Sequence, residues 1–155
     1  MGNAILTNIK TIKMKKAGFK LLVVAITIFS FNTLFAQSPC DTVATLCENN
    51  ISKQYISDGQ NYRALLLDDE IAEFNMVLYG GSTYRFAACS GFSDGNLIFS
   101  VYDRERNLIF TNKEHSNAPY WDFKITNTLD CIIEAQLDPN VSASGCAVLL
   151  VGFKQ

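Results

Sequence analysis

The sequence predicts an all-β domain, a single antiparallel β-sandwich or jelly roll of about eight strands. Three observations carry that expectation. From residue 61 onward apolar residues recur at every second position in run after run. Gly, Asn and Asp punctuate those runs at short intervals, and almost nothing between them reads as helix.

YRALLL, at residues 62–67, is the first such run. In IAEFNMVLY, Ala72, Phe74, Met76 and Leu78 alternate with mostly polar partners, and Gly80-Gly81 supplies the positive φ of a tight turn into STYRFAAC. Tyr84, Phe86 and Ala88 form the apolar face there, so the two runs are expected to pair as a hairpin. NLIFSVYD and NLIFTN flank Arg104-Glu105-Arg106 and make a second hairpin, with Leu97, Phe99 and Val101 inward. YWDFKIT puts Trp121, Phe123 and Ile125 on one face. TLDCIIEAQL turns Leu129, Cys131, Ile133, Ala135 and Leu137 inward, and DPNVSASG leads into CAVLLVGF, an almost continuous apolar run expected as a central strand in a final hairpin. Phe74, Phe86, Phe99, Trp121, Phe123, Ile133 and Leu150 are expected in one core.

Upstream of the sandwich the chain divides in two. Residues 1–36 read as an N-terminal extension followed by a signal peptide. Lys15, Lys16 and Lys20 precede an apolar stretch that closes on Phe35-Ala36, and Met14 stands where a working start is expected. Ser30, Asn32 and Thr33 interrupt the apolar run short of the roughly 20 residues of a spanning helix. Cleavage after Ala36 is therefore expected, with the membrane met only during export and the protein secreted or periplasmic. Residues 37–60, of mixed polarity with Asn49-Asn50 and Asp58-Gly59 as turn signals, are expected as an irregular or briefly helical lead-in. The sandwich is expected over 61–155.

Removing residues 1–36 takes away five basic residues and no acidic ones, so residues 37–155 carry 8 basic and 15 acidic side chains, a formal charge of −7. Nucleic acid is excluded as a partner by such a surface. All five cysteines lie after residue 37, in a segment expected to meet oxidising conditions. Five is odd, so at most two internal bridges form, and the spacings match no zinc site. If the last two runs form a hairpin, Cys131 and Cys146 fall at its opposite ends, some 20 Å apart, where a disulfide needs Cα atoms within about 7 Å. Cys40 with Cys47 and Cys89 with Cys131 are then the expected pairs, and Cys146 a thiol.

Chemistry is sparse. His115 is the one histidine, in the loop KEHSNAP, where a solvated side chain is expected. There is no G-x-S-x-G elbow and no motif around any cysteine, so no catalytic residue is assigned. Asp68-Asp69-Glu70 and Asp103 with Glu105 offer oxygen ligands for Ca²⁺, but neither fits a D-x-[DN]-x-[DN]-G loop. Because side chains alternate along a strand, Trp121 points inward and Tyr120 outward; Tyr120 and Tyr102 are the rings available to a ligand.

The order AEFNMVLYGGSTYRFAAC, NLIFSVYDRERNLIF, LDCIIEAQL, AVLLVGF resembles, over residues 62–153, the bacterial pre-peptidase C-terminal domain family of secreted jelly-roll modules. The signal style is similar to that of small exported Bacteroidetes proteins. The resemblance implies an accessory or binding module. Where the family has paired aspartates this chain has Ser93-Asp94-Gly95-Asn96, so no cofactor is expected, with Ca²⁺ at Asp94, Asp103 or Glu105 the one ion to consider. The expectation is a non-catalytic module binding a cell-envelope protein or glycan. A hydrolase using His115 and a carboxylate, and a structural component self-associating through a sheet edge or the odd cysteine, are the alternatives.

Overall fold

The computed structural model describes residues 39–91 and 93–155; the expected signal peptide and start site lie outside them. The described chain opens with helix α1 (Pro39–Cys47) and one 3-10 turn (Glu48–Asn50), then runs through strands β1 (Ile56–Leu67), β2 (Ile71–Leu78), β3 (Thr83–Cys89), β4 (Leu97–Asp103), β5 (Leu108–Thr111), β6 (Tyr120–Lys124), β7 (Leu129–Leu137) and β8 (Ser144–Lys154). A second 3-10 turn, Asn112–His115, joins β5 towards β6. The first strand starts at Ile56, inside the expected lead-in. None of the helices among the described residues is long and apolar enough to cross a membrane.

Two four-stranded antiparallel sheets face each other, ordered β1-β8-β3-β6 and β2-β7-β4-β5. This is the eight-stranded jelly roll of two interleaved Greek keys. Among the described residues only β4 and β5 form a hairpin between consecutive strands, as expected. The other two expected hairpins are corrected. β2 pairs with β7 and β3 with β8 and β6, so the Gly80-Gly81 turn carries the chain from one sheet to the other. That corner is held by the end of β6: Gly81 N–H donates to the Ile125 carbonyl at 2.8 Å, and Ile125 N–H to the Ser82 carbonyl at 2.9 Å. β7 and β8 likewise belong to opposite sheets. A short polar turn between two period-two runs serves a corner as well as a hairpin, which is why the sequence pointed to the wrong partner.

The inward phase of each strand is as the alternation predicts. Phe86, Phe99 and Ile133 are fully buried between the sheets, with Phe74, Trp121 and Phe123 half-buried against them. Deleting a ring from such a core costs about 3 to 5 kcal/mol. Leu150 is the exception. It faces out of the first sheet and packs with Cys146, Val148, Ala87 and Cys89 beneath α1, which lays Val43 and Ala44 on them. This second core explains why β8 is apolar on both faces: one meets the opposite sheet, the other a helix.

The same helix rewrites the disulfides. Cys40 bonds Cys146 and Cys47 bonds Cys89, with Cα separations of 5.3 and 5.8 Å. Seven residues apart on a helix, Cys40 and Cys47 share a face but lie about 10 Å from each other along the axis, too far to bond. Cys89 is out of phase with Tyr84, Phe86 and Ala88, and that outward phase carries it to the helix. Cys131, expected in a bridge, is a buried thiol between the sheets, and Cys146, expected free, is bonded.

Of the two buried polar residues among those described, Asn112 and Ser90, Asn112 is the fully enclosed one. Asn112 is 0% exposed and stands where β5 ends. Its Oδ1 accepts from Phe99 N–H at 2.8 Å, and its Nδ2 donates to the Leu97 and Ala118 carbonyls at 2.9 and 3.1 Å, continuing the hydrogen bonding of β4 past its short neighbour.

Candidate functional site

The jelly roll leaves two lateral seams, one where β1 and β2 border the sheets and one where β5 and β6 do. The β5/β6 seam is filled with rings. Phe110 lies with its centroid 5.0 Å from both Trp121 and Phe123, and His115 stacks on Trp121 at 4.3 Å and on Phe110 at 5.4 Å. His115 is exposed, as expected, but it serves as a flat cap on an aromatic cluster.

The β1/β2 seam is closed along part of its length by Tyr62 against Phe74, edge to face at 5.4 Å, and beyond them it opens into a cleft of about 620 Å³. Two local features shape it. The first is a bulge in β1. Between Ser57 and Asn61 the strand advances four residues while β8 moves two, from Gly152 to Leu150. Gly59 supplies the φ of +80° that the bulge requires, and Ser57 Oγ and Asp58 Oδ1 accept from the N–H groups of Gly59 and Gln60 at 3.1 and 2.9 Å. The Asp58-Gly59 turn signal is thus real, but it turns within a strand. The second is the end of β2, where Tyr79 N–H donates to Tyr84 Oη at 2.9 Å. That bond fixes the buried Tyr84 as one wall and leaves the Tyr79 ring 64% exposed at the rim.

The bulge aims Asp58 into the cleft beside Tyr62, whose hydroxyl donates to Asp58 Oδ2 at 3.4 Å. Loss of water raises the Asp58 carboxyl above its ordinary value, more than the Gln60 and Tyr62 hydrogen bonds lower it; the same burial, together with the Asp58 charge, raises Tyr62. Met76, Phe153 and the amides of Gln60, Asn75 and Gln155 also line the cleft. It offers ring faces, a thioether, amides and one carboxylate.

None of the residues expected from sequence lies here. Tyr120 does point outward, but Arg85 occupies its ring face, with the guanidinium carbon 4.3 Å from the Tyr120 centroid and 4.7 Å from that of Tyr55, while Asp122 grips the same guanidinium at 2.7 and 2.8 Å. Those hydrogen bonds from Arg85 are the main reason the Asp122 carboxyl is held below its ordinary value. Tyr102 is half-buried on the outer face of the second sheet. Asp103 is spent on its own turn, accepting from Asn107 Nδ2 at 2.8 Å and Asn107 N–H at 2.7 Å, which lower its pKa in that order. Asp94 accepts from Asn50 Nδ2 at 3.4 Å, and Glu105 is exposed in the β4–β5 turn. Among the described residues no three His, Cys, Asp or Glu side chains converge as metal ligands. The cleft escaped the sequence reading because β1 and β2 are joined by only a short turn yet lie in different sheets; the Asp58-Gly59 pair ahead of Tyr62 was its one local signal.

No protein-family model matches the chain, and no curated protein sequence matches it. Among solved structures, PliG of Aeromonas hydrophila, a periplasmic inhibitor of g-type lysozyme, is similar at 14% identity with a TM-score of 0.48, over 66% of this chain and 90% of that one. At that identity and score the likeness bears on neither ligand nor activity.

Proposed function

We propose that this protein is an exported, non-catalytic binding module of the cell envelope that engages its ligand in the β1/β2 cleft. The observation that carries the reading is the contrast between the two seams. Along one, Phe110, His115, Trp121 and Phe123 stack on one another, leaving a shallower concavity of about 460 Å³ beside Tyr120 and Trp121 that holds no uncompensated carboxylate; the other is held open by a bulge that directs a carboxylate among aromatic rings. An apolar concavity with a few convergent polar groups is the usual form of a binding site. Two disulfides joining segments 106 and 42 residues apart support folding in an oxidising compartment. His115, on which the alternative hydrolase would rely, is stacked on Trp121 at the opposite seam.

The test is retention on the immobilised protein of envelope extract separated into protein and glycan fractions. A ligand held by the parent and by Tyr102→Ala, but bound about tenfold more weakly by Tyr79→Ala and Gln60→Ala, supports the cleft. Retention that survives both cleft substitutions and fails in Tyr102→Ala refutes it and moves the site to the outer face of the second sheet.

A further inference from the structure

We propose that the cleft receives a basic side chain, a lysine or arginine presented by a protein partner; this rests on the cleft being the binding site. Asp58 has no counter-charge among the described residues. Among the described residues every ion pair involves another carboxylate, and Asp58 joins none of them. Asp58 is the one side-chain carboxylate lining the cleft, and no basic side chain lines it. The neutral donors that reach Asp58, the Gln60 N–H and the Tyr62 hydroxyl, leave its negative charge uncompensated in a partly dehydrated place. Burial raises the Asp58 carboxyl by more than those two donors lower it.

The surroundings suit a cation on an aliphatic stem. Tyr62, Tyr79 and Phe153 present π-systems, which attract ammonium and guanidinium groups, and Met76 and Val77 offer apolar surface for the methylenes. The protein already uses this combination elsewhere. Arg85 lies between the Tyr55 and Tyr120 rings with its guanidinium on Asp122, an internal copy of aromatic rings plus aspartate holding a base. In the cleft the rings and the aspartate are present without the base. The formal charge of −7 on residues 37–155 would also steer a basic partner towards the domain. A neutral glycan satisfies the rings and amides but leaves the carboxylate uncompensated.

The experiment titrates the ¹⁵N-labelled protein with capped tetra-arginine, tetra-lysine, tetra-citrulline and a neutral N-acetylated chitotetraose. Citrulline keeps the shape and planarity of arginine without its charge. Both basic peptides are expected to shift amides of residues 58–62 and 75–79, with citrulline and the sugar at least about tenfold weaker. Asp58→Asn, which keeps the acceptor for Gln60 N–H and so the bulge, is expected to reduce arginine binding about tenfold to the citrulline level. Tyr79→Ala, which removes a largely exposed ring at the rim, weakens both basic peptides. Equal binding of arginine and citrulline in the cleft, tighter binding of the sugar there, or an Asp58→Asn variant that binds arginine as the parent does overturns the cation while leaving the cleft as the site. Basic peptides that shift only residues outside 58–62 and 75–79 overturn the cation as well, and if the sugar also misses those residues the cleft itself falls.

Discussion

Replacing Cys40 and Cys146 by alanine should cost about 4 kcal/mol, and the size of that loss tests the whole arrangement of α1 on the first sheet. In the chain-entropy account, a bridge across 106 residues contributes about 4.8 kcal/mol and one across 42 residues about 3.9 kcal/mol. The two loops are nested, however. With Cys47–Cys89 intact, the shortest path between Cys40 and Cys146 runs along the helix, across the second bridge and on through β4 to β7 to the start of β8, about 64 residues, which lowers the expected loss to about 4.3 kcal/mol. Removing Cys47 and Cys89 instead should cost about 3.9 kcal/mol, because its own loop is already the shorter path. Either bridge alone leaves a folded domain; losing both removes about 8 kcal/mol, which exceeds the lower end of ordinary domain stability. Urea unfolding of the two double-alanine variants and of the reduced protein measures all three. A loss under about 1 kcal/mol for Cys40→Ala/Cys146→Ala would show that the helix is not strapped by this bond, and a cross-linked Cys40–Cys47 or Cys89–Cys131 peptide under non-reducing conditions would refute the topology itself.

Asn112→Ala should destabilise by about 3 kcal/mol, since three hydrogen bonds to Phe99, Leu97 and Ala118 are lost in a fully buried place; Asn112→Asp should do no better, because a carboxylate cannot donate to the two carbonyls, and a loss under about 1 kcal/mol in urea melts counts against the role. Cys131, whose thiol burial pushes up to about 11, should resist iodoacetamide at pH 8 in the native protein and react with one equivalent once unfolded; fast native labelling would place it elsewhere. Gly152→Ala should cost about 1 to 3 kcal/mol, because a β-carbon there falls 2.9 Å from Tyr55 Cβ, whereas Gly145→Ala, with its nearest neighbour at 3.8 Å, should cost less; equal melting temperatures for the two would contradict the packing of Tyr55 on β8. Raised Asp58 implies a stability contribution present below the ordinary aspartate range and lost as pH rises through its folded value, so Asp58→Asn should flatten the pH dependence of unfolding just above pH 3.8; an unchanged profile would show the carboxyl fully hydrated.

The β class and the inward phase of β2, β3, β4, β6 and β7 were legible in the sequence, because alternation is a property of neighbouring residues and needs no knowledge of partners. Partnering was not. The turn at Gly80-Gly81 carries the same residues whether the chain folds back beside itself or crosses to the other sheet, and only the competition among all eight strands for the two sheets decides between them. The disulfides inherited that ambiguity. Spacing of seven between Cys40 and Cys47 already placed both on one helical face, and the outward phase of Cys89 matched, yet which strands lay beneath the helix depended on β8 settling beside β3. The cleft depended on the tertiary structure in the same way. Asp58-Gly59 announces a positive φ locally, but that it bends an edge strand, and that the bend faces Tyr79 across the seam, follows only from β1 and β2 ending in opposite sheets, where distant segments meet through packing that no local pattern records.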